Sequence, residues 1–223
     1  MAFKLTAKDL LIDNNSSINI VNMSFLSIDC STEKSSLFIK TKSKTFIKFL
    51  QSDKFNNDLL MKQILVFFTQ NNLTFEDISE IFVNQGPGNF SGLRGSLATA
   101  KGMSLSKKIN LLGYNTFLWS CVKFFNKKDF IFSLIKHRDK YFIKKFDRSL
   151  KNTSKVKEIT VEEIIKKYYN KFKVIPKSMA KNFDRGILNS KNLSLVDLDH
   201  NELEFLKLKG LLDKKLIKPI YLN

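Results

Sequence analysis

Cysteine, histidine and arginine are scarce in this sequence and no apolar run is long, and each shortage closes off a class of function. Only two of the 223 residues are cysteine, Cys30 and Cys121, far apart and outside any C-x-x-C spacing. That excludes a disulfide scaffold and a thiol redox pair, and both read as small buried hydrophobes. The two histidines, His137 and His200, fall where the pattern gives a strand edge and a helix start. They supply no His-x-x-x-His metal pair and no Cys-His partnership for a peptidase. Apolar stretches such as 64–68 fall far below the roughly 18 consecutive residues that a membrane-spanning helix needs. The first 22 residues carry Asp9, Asp13 and several asparagines, which suits neither a signal core nor an acid-poor transit peptide. A cytoplasmic chain with no membrane partner is expected.

What is abundant is lysine. The formal net charge is +17, and arginine occupies only positions 94, 138, 148 and 185, so lysine supplies 34 of the 38 basic residues. Clustered cations gain affinity for phosphates by releasing counterions. Here the lysines fall in isolated doublets such as Lys107-Lys108 and Lys166-Lys167, alongside much asparagine, isoleucine and phenylalanine, and no basic strand interleaved with aromatics resembles an RNA-stacking platform. That profile fits an AT-rich coding sequence that raises lysine everywhere. The charge therefore reads as a diffuse solvated surface, with only weak attraction to nucleic acid or an acidic partner.

Hydrophobic residues make up 43% of the chain, enough for one large core or two modest ones. Residues 1–22 read as a polar extension, with Met23 as an alternative start. Short apolar runs at 25–29, 35–40 and 45–50 predict an antiparallel meander. Asn57 or Asp58 is placed to cap a helix reaching Gln70, in which Leu60, Ile64, Phe67 and Phe68 recur at helical spacing. Thr74 with Asp77 forms a capping-box pattern, and strands follow at 80–84 and 111–114 around a helix over 91–107. The order βββαβα recurs more weakly later: strands at 129–135 and 140–147, a helix opened by Thr160 with Glu163, and a strand at 173–175. A last helix, opened by Asp199 with Glu202, ends near Gly210. We therefore expect an extension (1–22), a first α/β domain (23–115), and a second, reduced copy (116–223) whose C-terminal helix packs back on the first.

The densest motif is Gly86-Pro87-Gly88-Asn89-Phe90-Ser91-Gly92-Leu93-Arg94. Its glycines permit sharp turns and close backbone approach. It is not a phosphate-binding Walker loop, because no Lys-Ser or Lys-Thr follows Gly92. Arg94 opposes the positive end of the following helix, so it is retained for a specific contact, such as an ion pair with a nearby acid. The helix behind it carries Gly95, Ser96, Thr99, Ala100 and Gly102 on more than one face. Small residues there leave room for the sheet on one side and for a helix of another subunit on a second.

The loop and its continuation Leu97-Ala98-Thr99-Ala100-Lys101-Gly102 closely resemble the GPGSFTGLR...LATAKG signature of the TsaB (YeaZ) family. Ile28-Asp29-Cys30-Ser31-Thr32-Glu33 and Lys218-Pro219-Ile220-Tyr221-Leu222 resemble that family's L-D-T-S-T strand end and terminal P-x-Y-L. The resemblance implies an actin-like ATPase (ASKHA) fold of two related domains. It also implies a noncatalytic subunit that binds and activates TsaD, together with TsaE, to make N6-threonylcarbamoyladenosine beside the tRNA anticodon. On that reading the signature loop is Gly86, Pro87, Gly88, Phe90, Ser91, Gly92 and Arg94. The subunit contact falls on the first-domain helices, with Leu60, Ile64, Phe67, Gly95, Thr99, Gly102 and Met103 at the partner. No cofactor is expected on this chain; ATP and a metal ion belong to the partner subunits, tRNA is reached through the complex, and the isolated chain forms a homodimer. Lys136-His137-Arg138-Asp139 stands where the family often has Asp-Ala-Arg-Arg. The competing reading is a nucleotide-binding phosphotransferase or ATPase, with Asp29 positioning a metal-bound water.

Overall fold

The computed structural model describes residues 23–50, 59–215 and 217–222, so the extension 1–22 and the cap at Asn57 or Asp58 lie outside the described residues. The first half runs β1 (Phe25–Asp29), β2 (Ser36–Lys40), β3 (Thr45–Phe49), α1 (Leu60–Gln70), β4 (Glu80–Asn84), α2 (Phe90–Lys107), β5 (Asn110–Tyr114) and α3 (Thr116–Cys121). The second runs β6 (Phe130–His137), β7 (Lys140–Asp147), β8 (Lys157–Ile159), α4 (Val161–Lys167), β9 (Lys173–Pro176), α5 (Arg185–Leu188), β10 (Leu193–Val196) and α6 (Glu202–Leu208).

Each half builds one five-stranded sheet, ordered β3-β2-β1-β4-β5 and β10-β9-β6-β7-β8. The two are the same topology. In each, the first three strands pair antiparallel and the fourth joins the first in parallel, with the fifth parallel beyond it. The duplication expected from the sequence is present, and the second copy keeps five strands where the sequence reading found three.

Strand alternation explains why the first sheet is covered on both faces. Leu26, Ile28, Leu37, Ile39, Ile81 and Val83 form one core with α1 and α2. Phe25, Phe38, Phe82, Leu112 and Tyr114 face the other way and join the core of the second half through α3 and α6. Ion pairs fasten α6 to the first sheet, Glu204 with Lys40 and Lys207 with Glu80. Capping boxes form at Thr74 with Asp77 and at Thr160 with Glu163.

The structure adds four elements and corrects one cap. The helices α3 and α5 and the strands β8 and β10 are not foreseen, because all four are short and lack a readable period. The box expected between Asp199 and Glu202 does not form. Asn201 sits at the N-cap of α6, while Asp199 Oδ1 accepts from the Asn201 N–H and side-chain amide.

Candidate functional site

Three segments remote in sequence meet at the carboxyl ends of β1 and β4. The turn after β1 is organised by Asp29, whose buried carboxylate accepts from the Ser31 and Thr32 N–H groups, both hydroxyls and the Asn84 amide. Asn84 also accepts from the Gly86 N–H and donates to Thr116 Oγ1. The glycine-rich loop then lies backbone to backbone on that turn: the Asn89 N–H donates to the Ser31 carbonyl at 2.8 Å. A Cβ on Gly88 would stand 1.9 Å from the Ser31 oxygen, and one on Gly92 would stand 2.1 Å from the Cys30 oxygen. Gly86 has φ of +90°, a conformation that favours glycine. The close approach that these glycines permit is thus to the chain's own β1 turn.

The start of α2 is likewise spoken for. Asn89 Oδ1 accepts from the Ser91 and Gly92 N–H groups, a side-chain N-cap that satisfies amides otherwise open to an anion. Arg94 makes no ion pair with an acid among the described residues. Its guanidinium lies 3.8 Å from the Phe90 ring centroid, and its Nε donates to the Tyr221 hydroxyl at 2.9 Å. The terminal segment is held by the Ile220 N–H donating to the Gln85 carbonyl and by the Gln85 amide donating to the Lys218 carbonyl. All three motif segments are joined.

A cleft of about 1010 Å³ opens beside this junction. The loop, Glu33, Arg94 and Tyr221 line one side, and Lys136, His137, Arg138 and Lys181 line the other. Glu33 bridges it, pairing with Lys181 at 2.9 Å and accepting from Asn182. Burial and the neighbouring Arg138 hold the His137 imidazole below its usual range. Asp29 does not line the cleft, and its oxygens are engaged by the turn.

The helix faces divide sharply. Leu60, Ile64 and Phe67 on α1 and Met103 on α2 are buried in the core against the first sheet. Those four expected partner contacts are corrected: the helical spacing that revealed them is the spacing of the core stripe. Gly95 and Thr99 are half-buried and Gly102 is exposed, with open space where its Cβ would be. Beside them the outer faces carry Met61, Leu65 and Val66 on α1, and Ala98 and the 81%-exposed Leu105 on α2.

No curated protein sequence matches the chain. A family model does: that of TsaD, tRNA N6-adenosine threonylcarbamoyltransferase, matches residues 53–134. Two solved structures from Pseudomonas aeruginosa superpose over the whole of their own chains and 90% of this one. One is YeaZ, at TM-score 0.66 and 12% identity. The other is described as an uncharacterized protein with similarity to peptidase YeaZ, at TM-score 0.68 and 13% identity.

The chain shares the fold of YeaZ. Its paired sheets form the actin-like ASKHA fold. In this YeaZ-like chain both cysteines are buried, with desolvation pushing the Cys30 thiol up and Cys121 to about 12. Neither is a ready nucleophile. Among the described residues no group of three His, Cys, Asp or Glu side chains is placed to hold a metal, and no helix is long and apolar enough to cross a membrane. Sequence reasoning missed Tyr221 as the partner of Arg94 and Asn89 as the cap of α2. The second had a readable signal, an asparagine immediately before a helix; the first, 127 residues away, had none.

Proposed function

We propose that this chain is a noncatalytic subunit of a tRNA N6-threonylcarbamoyladenosine machinery, binding and activating TsaD together with TsaE. The observation that carries the reading is the outer face of α1 and α2. Met61, Leu65, Val66 and Leu105 are exposed there around Ala98 and Gly102, and small residues let a partner's helix come close while the large ones bury apolar area. The GPG loop is the brace that fixes α2 against the β1 turn. Support comes also from the TsaD-family match over 53–134, which contains both helices, and from the YeaZ-like fold. ATP and its metal ion then reside on the partner subunits, tRNA meets the assembly as a whole, the location is the cytoplasm, and the same face pairs two copies of the isolated chain.

The test is co-purification with the TsaD of the same organism. Gly102→Leu projects into open space in the isolated chain, so it leaves the fold intact and obstructs only a close partner. With Leu65→Asp it should abolish the complex; full association of the double variant would refute this face. The alternative, a nucleotide-binding ATPase, is favoured by the cleft and its Arg94, Lys136, Arg138 and Lys181 lining. It has lost its acid, since Asp29 is consumed by the turn. Calorimetry with millimolar ATP and magnesium decides it: heat of binding on the isolated chain would restore the enzyme reading.

A further inference from the structure

Net charge is divided very unevenly between the two sheet units. Residues 1–115 contain 13 Lys and Arg against 9 Asp and Glu, a net of +4, whereas 116–223 contain 25 against 12, a net of +13. A codon bias toward lysine acts on both halves alike, so it does not account for the difference.

The excess has a focus. At the start of β6 and the end of β7, Lys145 Nζ sits 3.7 Å from the Phe130 ring centroid and 5.9 Å from that of Phe132. Phe132 packs edge-on against Tyr168, which carries Lys167 at 5.9 Å. Phe172 packs on Phe124 and carries Lys128 at 4.8 Å. The Phe132 N–H donates to the Phe172 carbonyl, so the two ring pairs lie at the same end of the sheet. Phe130 is 48% exposed, and Lys128 and Lys167 are exposed. Neither Lys128 nor Lys145 pairs with a carboxylate among the described residues, and Lys167 acts at longer range on Glu163, which Lys157 holds at 3.0 Å. Of the nearby acids, Asp129 is exposed, while Asp147 accepts from Ser149 and Lys151 in its own turn. The cleft lies at the other end of these eight-residue strands, about 23 Å away at ordinary strand rise, and the α1–α2 face belongs to the other sheet.

We infer that this patch is an RNA-binding surface, through which the chain contacts RNA directly. Lysines at this end of the sheet meet phosphates, and the half-exposed Phe130 ring offers a surface on which an unpaired base stacks. An anionic lipid surface would also attract the lysines and admit the exposed Phe130 ring, so the vesicle arm of the test separates the two. The inference stands on the second sheet unit alone and is independent of the docking face on α1 and α2.

The test measures anisotropy of a fluorescent tRNA transcript with the full chain across a salt series. Replacing Lys128, Lys145 and Lys167 together by Gln should weaken binding at least about tenfold and lower the log–log salt slope by about 3, about 1 for each lysine–phosphate pair removed. Lys42, Lys44 and Lys48 replaced by Gln make the same charge change in the first unit and should leave both unchanged. Equal weakening by the two triple variants would overturn the patch in favour of general charge. Phe130→Ala should weaken RNA binding with little change in slope. Phosphatidylserine vesicles bound more tightly than the transcript at the same ionic strength would overturn RNA in favour of a membrane surface.

Discussion

The two sheet units share strand order and strand direction, yet they differ in the connection that leaves the fourth strand. After β4 come the glycine-rich loop and an 18-residue helix; after β9 come a six-residue 3₁₀ segment and the four-residue α5. Both units keep a hydrogen-bonded cap there, Asn89 on α2 and Asp184 on α5. Among the described residues, only the first unit seats its loop backbone against backbone. The lesson is that the sheet is the shared frame, and that the connection after the fourth strand is where one copy carries a motif the other lacks.

Substitution of the loop glycines should have the largest effect and break the comparison outright. Gly88→Val and Gly92→Val each drive a side chain into the carbonyl of Ser31 or Cys30, at distances that require backbone movement. A loss of about 3 kcal/mol or more is expected, by overpacking and disturbance of the Asp29 turn. Gly186 in α5 would meet only Asp184 Oδ1 at 3.0 Å and Ile165 Cδ1 at 3.3 Å, so Gly186→Ala should cost under about 1.5 kcal/mol. Urea unfolding of the three variants measures this; equal losses would mean that the two connections are equally constrained.

The first residue of the fourth strand offers a second contrast, because both units bury a charge there. Glu80 pairs with Lys207. Lys173 is fully buried, and its ammonium donates to the carbonyls of Tyr168, Tyr169, Lys171 and Lys191. Burial lowers its pKa from the usual lysine range. Lys173→Met strands four acceptors in place and should cost about 3 kcal/mol or more. Glu80→Gln frees Lys207, whose side chain already reaches solvent, and should cost roughly half as much. Similar losses in thermal melts would show that the carbonyl cage carries no special weight.

Between the units, α6 brings a pH dependence of its own. His200 lies between the hydroxyls of Ser27 and Ser36, and burial holds it down at about 4. Burial pushes Glu202 up to about 8 against the opposing pull of Lys123. For His200 the unfolded chain binds more protons between about pH 4 and 6.5, so stability rises with pH there. For Glu202 the folded chain binds more between about 4.5 and 8, so stability falls with pH there. The slopes offset from about 4.5 to 6.5. Above that range Glu202 acts alone, and stability should drop by about 2 kcal/mol between pH 6.5 and 8. Glu202→Gln should flatten that limb in denaturant titrations; an unchanged limb would assign it elsewhere.

Sequence reading reached the frame because strand alternation and helical spacing report burial. It found the loop because three glycines in seven residues are unusual. It misassigned Leu60, Ile64, Phe67 and Met103 for the same reason: spacing marks the stripe facing the sheet, and a partner meets the opposite one. Nor does spacing reveal contacts across the chain. Arg94 with Tyr221, His200 with Ser27, and the lysine-aromatic patch over β6 and β7 all depend on which strands become neighbours. Lys173 was invisible because a lysine at a strand end ordinarily faces water.

The smallest effect sharpens the comparison most, because it separates folding from function on one residue. Gly102 is an interior helical position with nothing within 4 Å of its missing Cβ. Alanine there removes the entropic cost of glycine without a clash, so Gly102→Ala should raise stability by about 0.5–1 kcal/mol. On the proposed docking, the open space at Gly102 is where a partner's helix comes close. The same variant should therefore weaken capture of TsaD while melting higher, with differential scanning calorimetry and pull-down read on one preparation. A higher melting temperature with undiminished capture would mean that no partner approaches α2 at this point, and the docking face would contract to Met61, Leu65 and Val66 on α1.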